Sequence, residues 1–312
     1  MKWSVSASKA FFQCPKKWYY ETVFASSRSS DTKRKEAYFL KHLQSIHSWR
    51  GKLVDQVITM FIVPRLNKRR QVEKSEVLSY ADRLMEAQLE FARSKMYRSL
   101  DSKKNAYNYC ALLELENNSS LDEESIEQVK SEVKSSLLNL LDSVLLSELA
   151  EKGLYLIAQR TLQFRFTSMT IKCTPDLIAF FKERPPFIVD WKVETARHRE
   201  HWLQLGIYGF ALSRVKPHKD FPNDWRDILT DPTKIELMEF QLLRNQEIKY
   251  VLTEKDISDI EDYIYTSSLR MKQMINSGKP PELLIKILPK ARSPWTCQWC
   301  KFRGICWEEQ FS

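Results

Sequence analysis

The stretch CTPDLIAFFKERPPFIVDWKVETARHREHWLQLGIYGFAL, residues 173–212, contains two short apolar runs that each adjoin an acidic residue. Asp176 precedes the run LIAFF, and Asp190 follows the run FIV. Short runs that are rich in β-branched and aromatic residues and bounded by proline are typical of strands. Because side chains two positions apart lie on the same face of a strand, we expect Lys192 to project beside Asp190. The sequence therefore predicts two neighbouring strands that carry acids towards one site.

A helix is predicted immediately after the second strand, in HWLQLGIYGFALSRV (201–215). Gln204 and Tyr208 are four residues apart, so they share one face of that helix. Because the helix follows the strand so closely, we expect these two polar side chains to lie near Asp190 and Lys192.

Carboxylates and a lysine at one site are suited to phosphodiester hydrolysis. Mg²⁺ and Mn²⁺ are hard cations that prefer oxygen ligands, and acids on adjacent strands can share one such ion. The cation polarises a phosphate oxygen and lowers the pKa of bound water, while a lysine stabilises developing charge. The alternative is a salt bridge at a strand edge, since Asp-x-Lys is common by chance. The combination with Asp176 and the polar helix face favours a site.

The composition limits the classes of function. The chain has 312 residues and a formal net charge of +9, which favours polyanionic partners. None of its six glycines forms a GxxxxGK[ST] or GxGxxG loop, so we expect no nucleotide cofactor. No apolar run is long enough to span a membrane, and the N-terminus does not read as a secretory signal. We therefore expect a cytoplasmic protein whose thiols stay reduced.

The periodicity of apolar residues changes near Leu154. Before it, helical spacing predicts long helices over 37–62, 74–98 and 121–149, after a polar loop at 28–35. After it, alternation predicts strands, and a last helix follows over 254–276. The predicted strands are LYLIAQRTLQFRFT, TIKCTPDLIAFF, FIVDWKV, KIELMEFQLL and EIKYVLT.

This order of elements predicts an α/β fold with a helical subdomain and a small cysteine-rich C-terminal module. We expect four regions along the chain. They are an N-terminal segment (1–36), a helical region (37–150), an α/β core (151–280) and the cysteine-rich module (281–312).

Three of the six cysteines form a C-x2-C-x5-C pattern, Cys297, Cys300 and Cys306, near the end of the chain. Cysteines packed so closely in a reducing compartment favour a metal site over disulfides. Cys14, which Pro15 follows, is the best candidate for a fourth thiolate. Four thiolates suit either Zn²⁺ or a [4Fe–4S] cluster.

The residues around this cysteine pattern are unusually aromatic. We expect Trp295, Trp299, Phe302 and Trp307 to screen the metal group from water. The other two cysteines, Cys110 and Cys173, are expected to be small buried hydrophobic residues.

The motifs resemble those of the PD-(D/E)XK nuclease superfamily, specifically its RecB-like branch. The matching residues, in the order of that branch, are Pro175-Asp176, Asp190-Trp191-Lys192 and Gln204-Leu-Gly-Ile-Tyr208. The resemblance implies a restriction-endonuclease-like mixed sheet flanked by helices. It also implies that Asp176, Asp190 and the carbonyl of Trp191 bind Mg²⁺ or Mn²⁺, and that Lys192 is catalytic. By the same resemblance, Gln204 and Tyr208 position the substrate or brace the site.

The branch usually adds a helix with the pattern G-x-x-x-H, whose histidine joins the metal ligands. The best match here is Gly51 followed by Asp55 at the position of the histidine. Aspartate is a competent oxygen ligand, so we expect activity to persist with an altered metal preference. A solvated Asp55, or a ligand role for His42 or His47, is the alternative.

Members of the same branch, including AddB nuclease domains and CRISPR-associated adaptation nucleases, carry one N-terminal and three C-terminal cysteines that hold a [4Fe–4S] cluster. The resemblance implies that Cys14, Cys297, Cys300 and Cys306 hold such a cluster as a structural staple, with Zn²⁺ as the alternative.

The implied function is metal-dependent hydrolysis of DNA, at single strands or DNA ends. The predicted nucleic-acid contacts are Lys16, Lys17, Arg197 and Arg199. Residues 18–20 are aromatic and could stack on bases or form a buried face. Two neighbouring histidines, His198 and His201, are expected to be solvated.

Two other functions stay open. One is a catalytically weak or inactive nucleic-acid-binding subunit of a defence or repair complex, and the other is a zinc-stapled scaffold that binds protein. The chain has no helicase motif, so any unwinding would require a partner.

Overall fold

The computed structural model describes residues 2–99, 107–117, 121–182, 184–194, 201–216, 218–223, 231–276 and 278–308. The helices are α1 (Val5–Gln13), α2 (Pro15–Tyr19), α3 (Thr32–Leu40), α4 (Ile46–Val57), α5 (Val63–Asn67), α6 (Lys74–Arg93), α7 (Leu113–Glu116), α8 (Glu123–Leu141), α9 (Val144–Lys152), α10 (His201–Arg214), α11 (Glu254–Ile275), α12 (Pro281–Ile287), α13 (Pro294–Gln298) and α14 (Arg303–Glu308). The strands are β1 (Lys2–Trp3), β2 (Gly153–Ala158), β3 (Leu162–Phe166), β4 (Met169–Cys173), β5 (Leu177–Phe181), β6 (Phe187–Lys192), β7 (Glu236–Gln241) and β8 (Gln246–Tyr250).

A five-stranded mixed sheet with the order β2-β5-β6-β7-β8 forms the centre of the molecule. The pair β6–β7 is parallel, and the other neighbours are antiparallel. Parallel strands need a long crossover connection, which here contains α10. In this register Asp190 lies beside Glu239. The predicted α/β fold, a mixed sheet flanked by helices, is confirmed.

Both faces of this sheet are covered, as the apolar runs of its central strands require. Ile178 and Ile188 belong to a core that includes residues of α1, α10 and α11. The alternate residues Leu177 and Val189 belong to a second core with α4, α6 and α8. Because Asp190 has the same parity as Ile188, its side chain lies on the face that α10 covers.

A smaller sheet with the order β1-β4-β3 lies beside α10. Its Phe164 makes an edge-to-face contact with Phe210 of α10, at 5.7 Å between ring centroids. The small sheet therefore helps to fix the helix that carries Gln204 and Tyr208.

The predicted helix over 37–62 is wrong, because the segment is divided between α3 and α4. Asp31 caps α3 by accepting two backbone N–H groups at 2.7 and 3.3 Å, so the predicted loop at 28–35 ends there. Ser45 caps α4, and Gln44 between the helices forms a β-bridge to Leu112. Capping side chains set these boundaries against an apolar periodicity that runs across them.

A capping side chain and a left-handed residue also set the bounds of the next two helices, which differ from the predicted ones. The predicted helix over 121–149 is divided at Ser143, whose hydroxyl accepts the Leu146 N–H at 3.1 Å and starts α9. The predicted helix over 74–98 ends at Arg93, and Lys95 beyond it has a φ of 51°. The predicted helix over 254–276 is confirmed as α11.

Two of the predicted strands are each divided into two. LYLIAQRTLQFRFT forms β2 and β3 with a break at Gln159, whose φ is 51°. TIKCTPDLIAFF forms β4 and β5 with a break at Pro175, which has no N–H to donate. The breaks let β3 and β4 pair with each other and with β1, a second sheet that the sequence did not predict. The last three predicted strands are confirmed as β6, β7 and β8.

In the described part of the chain, no helix combines the length and apolar character needed to cross a membrane.

Candidate functional site

The acids and the lysine predicted on β5 and β6 line one open cavity of 810 Å³. Asp176 immediately precedes β5, while Asp190 and Lys192 lie on β6. Asp55 reaches the cavity from α4, and Gln204 reaches it from α10. The structure thus brings together five predicted site residues from widely separated segments. Other lining residues are His47, Ser48, Arg50, Gly51, Lys52, Gln128, Glu132, Gln159, Trp191, Val193 and Glu194.

Helix α4 presents Asp55 at the place where the sequence pattern expected a ligand. His42 precedes this helix, its Nδ1 lies 2.8 Å from the carbonyl oxygen of Tyr38, and it does not line the cavity. His47 does line the cavity. The alternatives for a ligand from this region are therefore Asp55 and His47.

Gln159, which no sequence motif predicted as a site residue, joins two of the acids. Its Nε2 donates to Oδ1 of Asp55 at 2.6 Å and to Oδ1 of Asp176 at 2.9 Å. Its backbone N–H donates to the carbonyl of Asp176 at 3.0 Å. Gln159 has a φ of 51°, a left-handed conformation that is uncommon for a residue other than glycine. No local motif marks this position, since the surrounding segment has the pattern of one continuous strand.

Each carboxylate oxygen of Asp190 contacts a different side chain. Its Oδ2 forms an ion pair with Nζ of Lys192, and its Oδ1 accepts the Nε2 of Gln204 at 3.2 Å. The same amide donates to the phenolic oxygen of Tyr208 at 2.6 Å. Tyr208 is buried and lies behind Gln204. The Gln–Tyr spacing on α10 therefore connects Asp190 to the helix that covers this face of the sheet.

Asp176 makes a further contact across the strand pair. Its Oδ2 accepts the backbone N–H of Trp191 at 2.9 Å. Because Trp191 lies between Asp190 and Lys192, this bond fixes Asp176 relative to the D-x-K segment.

Burial and the charges of neighbouring carboxylates disfavour ionisation of Asp55 and Asp176. Burial raises the pKa of Asp55 to about 6; the Asp190 carboxylate adds to this rise, and the hydrogen bond from Gln159 opposes it. Burial also raises the pKa of Asp176 well above its ordinary value, and the charges of Asp190 and Asp55 reinforce the effect. Burial alone would lower the pKa of Lys192, but the nearby Asp190 outweighs it and the pKa is raised. The acids therefore favour an added positive charge.

Within the described residues, no group of three or more His, Cys, Asp or Glu side chains is arranged so that it could hold a metal ion as it stands. At this cavity, the amide of Gln159 lies between Asp55 and Asp176, and other protein donors contact Oδ2 of Asp176 and both oxygens of Asp190. The chemistry of the donor set nevertheless fits a hard divalent cation, because three carboxylates line one open cavity.

A second buried polar group, which was not predicted from the sequence, lies on β7 next to Asp190. Glu239 is fully buried, and its Oε1 is 3.1 Å from Nδ1 of His201 and accepts Nε2 of Gln241 at 2.6 Å. Burial alone would raise the pKa of Glu239, but the hydrogen bonds from His201 and Gln241 outweigh it, so the pKa is lowered. The expectation that His201 is solvated is wrong, because this first residue of α10 faces the sheet and is 6% exposed. An acid within the apolar run ELMEFQ was the available signal.

The four predicted metal-binding cysteines line one small pocket, although they come from opposite ends of the chain. Cys14 lies between α1 and α2, and its Sγ accepts the Lys17 N–H at 3.3 Å. Burial raises the pKa of Cys300 and of Cys306, and their sulfur atoms lie close enough to Cys14 for electrostatic coupling. Four thiols around one pocket are the donor type of a [4Fe–4S] cluster or Zn²⁺, although in the described residues they are not arranged to hold an ion as they stand.

The remaining two cysteines lie elsewhere. Cys110 and Cys173 are buried, as expected, and burial raises the pKa of each to about 12.

The predicted aromatic screen around the cysteines is only partly present. Phe302 is fully buried and stacks on Tyr20, at 5.2 Å between ring centroids. Trp295 and Trp299 are 74% and 75% exposed, and Trp307 is 42% exposed. Trp307 nevertheless lines the cysteine pocket, so the expectation is wrong for Trp295 and Trp299, which do not line it.

Of the four predicted nucleic-acid contacts, two lie among the described residues, and they differ in burial. Lys16 is 3% exposed, and this burial contradicts a role in binding phosphate at the surface. Lys17 is half-buried and lines the cysteine pocket. Residues 18–20 are each 1% exposed, so they form the buried face that was the alternative. Arg197 and Arg199, like His198, lie outside the described residues.

Comparisons with known proteins show a family for this chain but no specific activity. No curated protein matches the chain. Among solved structures, one described as "Crystal structure of SSO0001" is similar over 63% of this chain and 79% of that chain, with 17% sequence identity and a TM-score of 0.31. The family model of the PD-(D/E)XK nuclease superfamily matches residues 2–307, which include every described element that contributes to the cavity. The chain therefore belongs to the PD-(D/E)XK nuclease superfamily.

Proposed function

We propose that this protein is a Mg²⁺- or Mn²⁺-dependent deoxyribonuclease of the RecB-like branch that acts on single-stranded DNA or DNA ends. Members of the superfamily generally hydrolyse phosphodiester bonds and typically use one of these cations. The observation that carries the proposal is the meeting of Asp55, Asp176, Asp190 and Lys192 at one open cavity. The net charge of +9 favours a polyanionic substrate.

Asp55, Asp176 and Asp190 would hold the divalent cation, with the carbonyl of Trp191 as a further oxygen donor. When bound, the cation polarises a phosphate oxygen and lowers the pKa of ligated water. Gln204 fixes the orientation of Asp190 through its hydrogen bond.

Lys192 is suited to stabilise negative charge on the phosphate. Its raised pKa keeps the ammonium group protonated at neutral pH, so it is a poor acceptor for a proton from water. Its role is therefore that of a fixed cation beside the reacting phosphate. In the net reaction, a water oxygen bonds to phosphorus, the bond to the leaving oxygen breaks, and that oxygen takes a proton.

We also propose that Cys14, Cys297, Cys300 and Cys306 hold a [4Fe–4S] cluster, with Zn²⁺ as the alternative. The four thiolates would connect the first and last helical segments of the chain. Such a crosslink restricts the unfolded chain, by roughly 5 kcal/mol for a very long loop in the simplest entropy estimate. Iron, zinc and sulfide analysis of anaerobically purified protein distinguishes the two metals.

The test of nuclease activity is cleavage of end-labelled single- and double-stranded DNA with Mg²⁺, with Mn²⁺ and with EDTA. Lys192→Ala is expected to lower the cleavage rate by at least about 100-fold without loss of the folded state. The matched control is Lys255→Ala, which removes an exposed lysine of α11 far along the sequence. Full cleavage by the Lys192 variant would refute the proposal.

A second candidate is a nucleic-acid-binding subunit with little or no catalytic activity, acting with a helicase or other partner in defence or repair. The specific observation in its favour is Asp55 at the position where the branch has a histidine. Metal-dependent cleavage by the purified wild-type chain excludes this candidate. DNA binding without cleavage in either cation supports it.

A further inference from the structure

Three exposed tryptophans cluster in the C-terminal module. Trp295 and Trp299 are 74% and 75% exposed, and Trp307 is 42% exposed. Tryptophan is a large side chain that proteins bury on average, because its exposure to water is unfavourable. Several such side chains within one short segment therefore mark a surface that binds a partner.

The three tryptophans lie in or next to the two short helices of this segment. Trp295 lies in α13, Trp299 caps the same helix, and Trp307 lies in α14. Trp295 and Trp307 line an open groove of 290 Å³ together with Arg303. We call these three tryptophans and Arg303 the tryptophan platform.

Cations lie against the third ring of the platform. The guanidinium carbon of Arg303 is 5.8 Å from the centre of the Trp307 ring, and Nζ of Lys290 is 5.6 Å from it. Cation–π contacts of this kind restrict the ring, and Arg303, which lines the groove, adds positive charge there.

The charge of the whole segment points to a polyanion. The cysteine-rich module (281–312) has five basic residues and three glutamates, which lie near its two ends. Arg292 and Arg303 are exposed in the structure, and Arg303 lines the groove with Trp295 and Trp307. The five basic residues are Lys286, Lys290, Arg292, Lys301 and Arg303.

We infer that the tryptophan platform binds single-stranded nucleic acid, with bases stacked on Trp295, Trp299 and Trp307 and phosphates at Arg292 and Arg303. Exposed aromatic faces interleaved with basic side chains bind unpaired bases with little sequence preference. A duplex keeps its bases stacked inside and offers only its phosphates to such a surface. The inference rests on the proposed function, because the strand bound here would be the substrate of the nuclease, but binding itself requires no cleavage.

The experiment measures binding by fluorescence anisotropy, with a labelled 20-nucleotide oligo-dT and a 20-base-pair duplex, in EDTA so that neither is cut. The test variant is Trp295→Ala/Trp299→Ala. The matched control is Tyr265→Ala, which removes a half-exposed aromatic side chain from α11. We expect the double variant to bind oligo-dT at least about tenfold more weakly. Duplex affinity should change by less than about threefold, and Tyr265→Ala should match the wild type.

A second variant tests the phosphate contacts. Arg292→Ala/Arg303→Ala should reduce the slope of log affinity against log salt, because fewer counterions are released on binding. Equal thermal unfolding midpoints and equal iron or zinc content establish that the variants stay folded. Oligo-dT should also quench tryptophan fluorescence in the wild type more than in the double tryptophan variant.

Unchanged oligo-dT affinity in the double tryptophan variant would overturn the inference and leave the rings as a surface for a protein partner. Equal losses for oligo-dT and duplex would also overturn it. Failure of the nuclease proposal gives a different result: the wild type binds oligo-dT through the platform but cuts no DNA with either cation.

Discussion

Replacing Asp55 with asparagine is expected to stabilise the metal-free protein near neutral pH. Burial raises the pKa of Asp55 from an ordinary 3.8 to about 6 in the folded state. Between these pH values the folded protein binds more protons than the unfolded chain, so stability falls as pH rises. One pKa unit corresponds to about 1.4 kcal/mol, so the ionised carboxylate costs the fold at most about 3 kcal/mol above pH 6.

The asparagine side chain removes this charge and keeps the structure around it. Its carbonyl oxygen can still accept the amide of Gln159, which donates to Asp55 at 2.6 Å. Because the cavity is open to water, part of the charge is screened, and we expect a gain of about 1–3 kcal/mol at pH 7.5. The gain should shrink to about 0.5 kcal/mol or less at pH 4, where the folded state is protonated and the unfolded carboxyl is about half ionised.

Urea unfolding in EDTA, from pH 4 to pH 8, measures this difference. Asp259→Asn is the matched control, since Asp259 is an exposed residue of α11 and its replacement should change stability by less than about 0.5 kcal/mol. Added Mn²⁺ should reverse the order, because a cation that binds the folded wild type stabilises it through mass action. An Asp55 variant that is no more stable than the wild type at pH 7.5 would refute the claim that the site crowds its acids together.

Three further changes test other parts of the structure. Gln159→Ala should move the Mn²⁺-binding curve to higher pH, as followed by electron paramagnetic resonance, because its hydrogen bond lowers the pKa of Asp55. Gly206→Ala should destabilise the fold by about 1–3 kcal/mol in urea unfolding, because the new Cβ would lie 2.8 Å from a side chain of α11. Its control, Gly51→Ala, meets no atom within 4 Å and should be neutral or stabilising by up to about 1 kcal/mol. Cys300→Ser should abolish binding of iron or zinc in metal analysis and lower the thermal unfolding midpoint, whereas retention of metal would exclude Cys300 as a ligand.

The parts of the site that follow from local spacing could be predicted from the sequence. Asp190 and Lys192 share a strand face because their separation is two, and no tertiary information is needed for that. Gln204 and Tyr208 share a helix face for the corresponding reason at a separation of four. The structure adds that one amide, that of Gln204, contacts both Asp190 and Tyr208.

The parts of the site that depend on interruptions between strands could not be predicted from the sequence. The segment around Gln159 alternates as one strand would, and only the left-handed backbone at that residue turns the chain out of the main sheet. The turn places its amide between Asp55 and Asp176, which are far apart in the sequence. The contact of His201 with Glu239 similarly depends on the parallel register of β6 and β7, which local periodicity does not specify.

The composition of a segment likewise does not predict whether its basic and aromatic residues are buried or exposed. Near the N-terminus, Lys16 and the aromatic residues 18–20 look like a nucleic-acid surface, yet they are buried where the two chain ends meet. Near the C-terminus, Trp295 and Trp299 look like a screen for the cysteines, yet they face water. Both segments combine lysine or arginine with aromatic rings, so composition alone cannot separate them. What separates them is packing: Trp18 contacts Phe11, and Tyr20 contacts Phe24 and Phe302, whereas the rings of Trp295 and Trp299 are about three-quarters exposed.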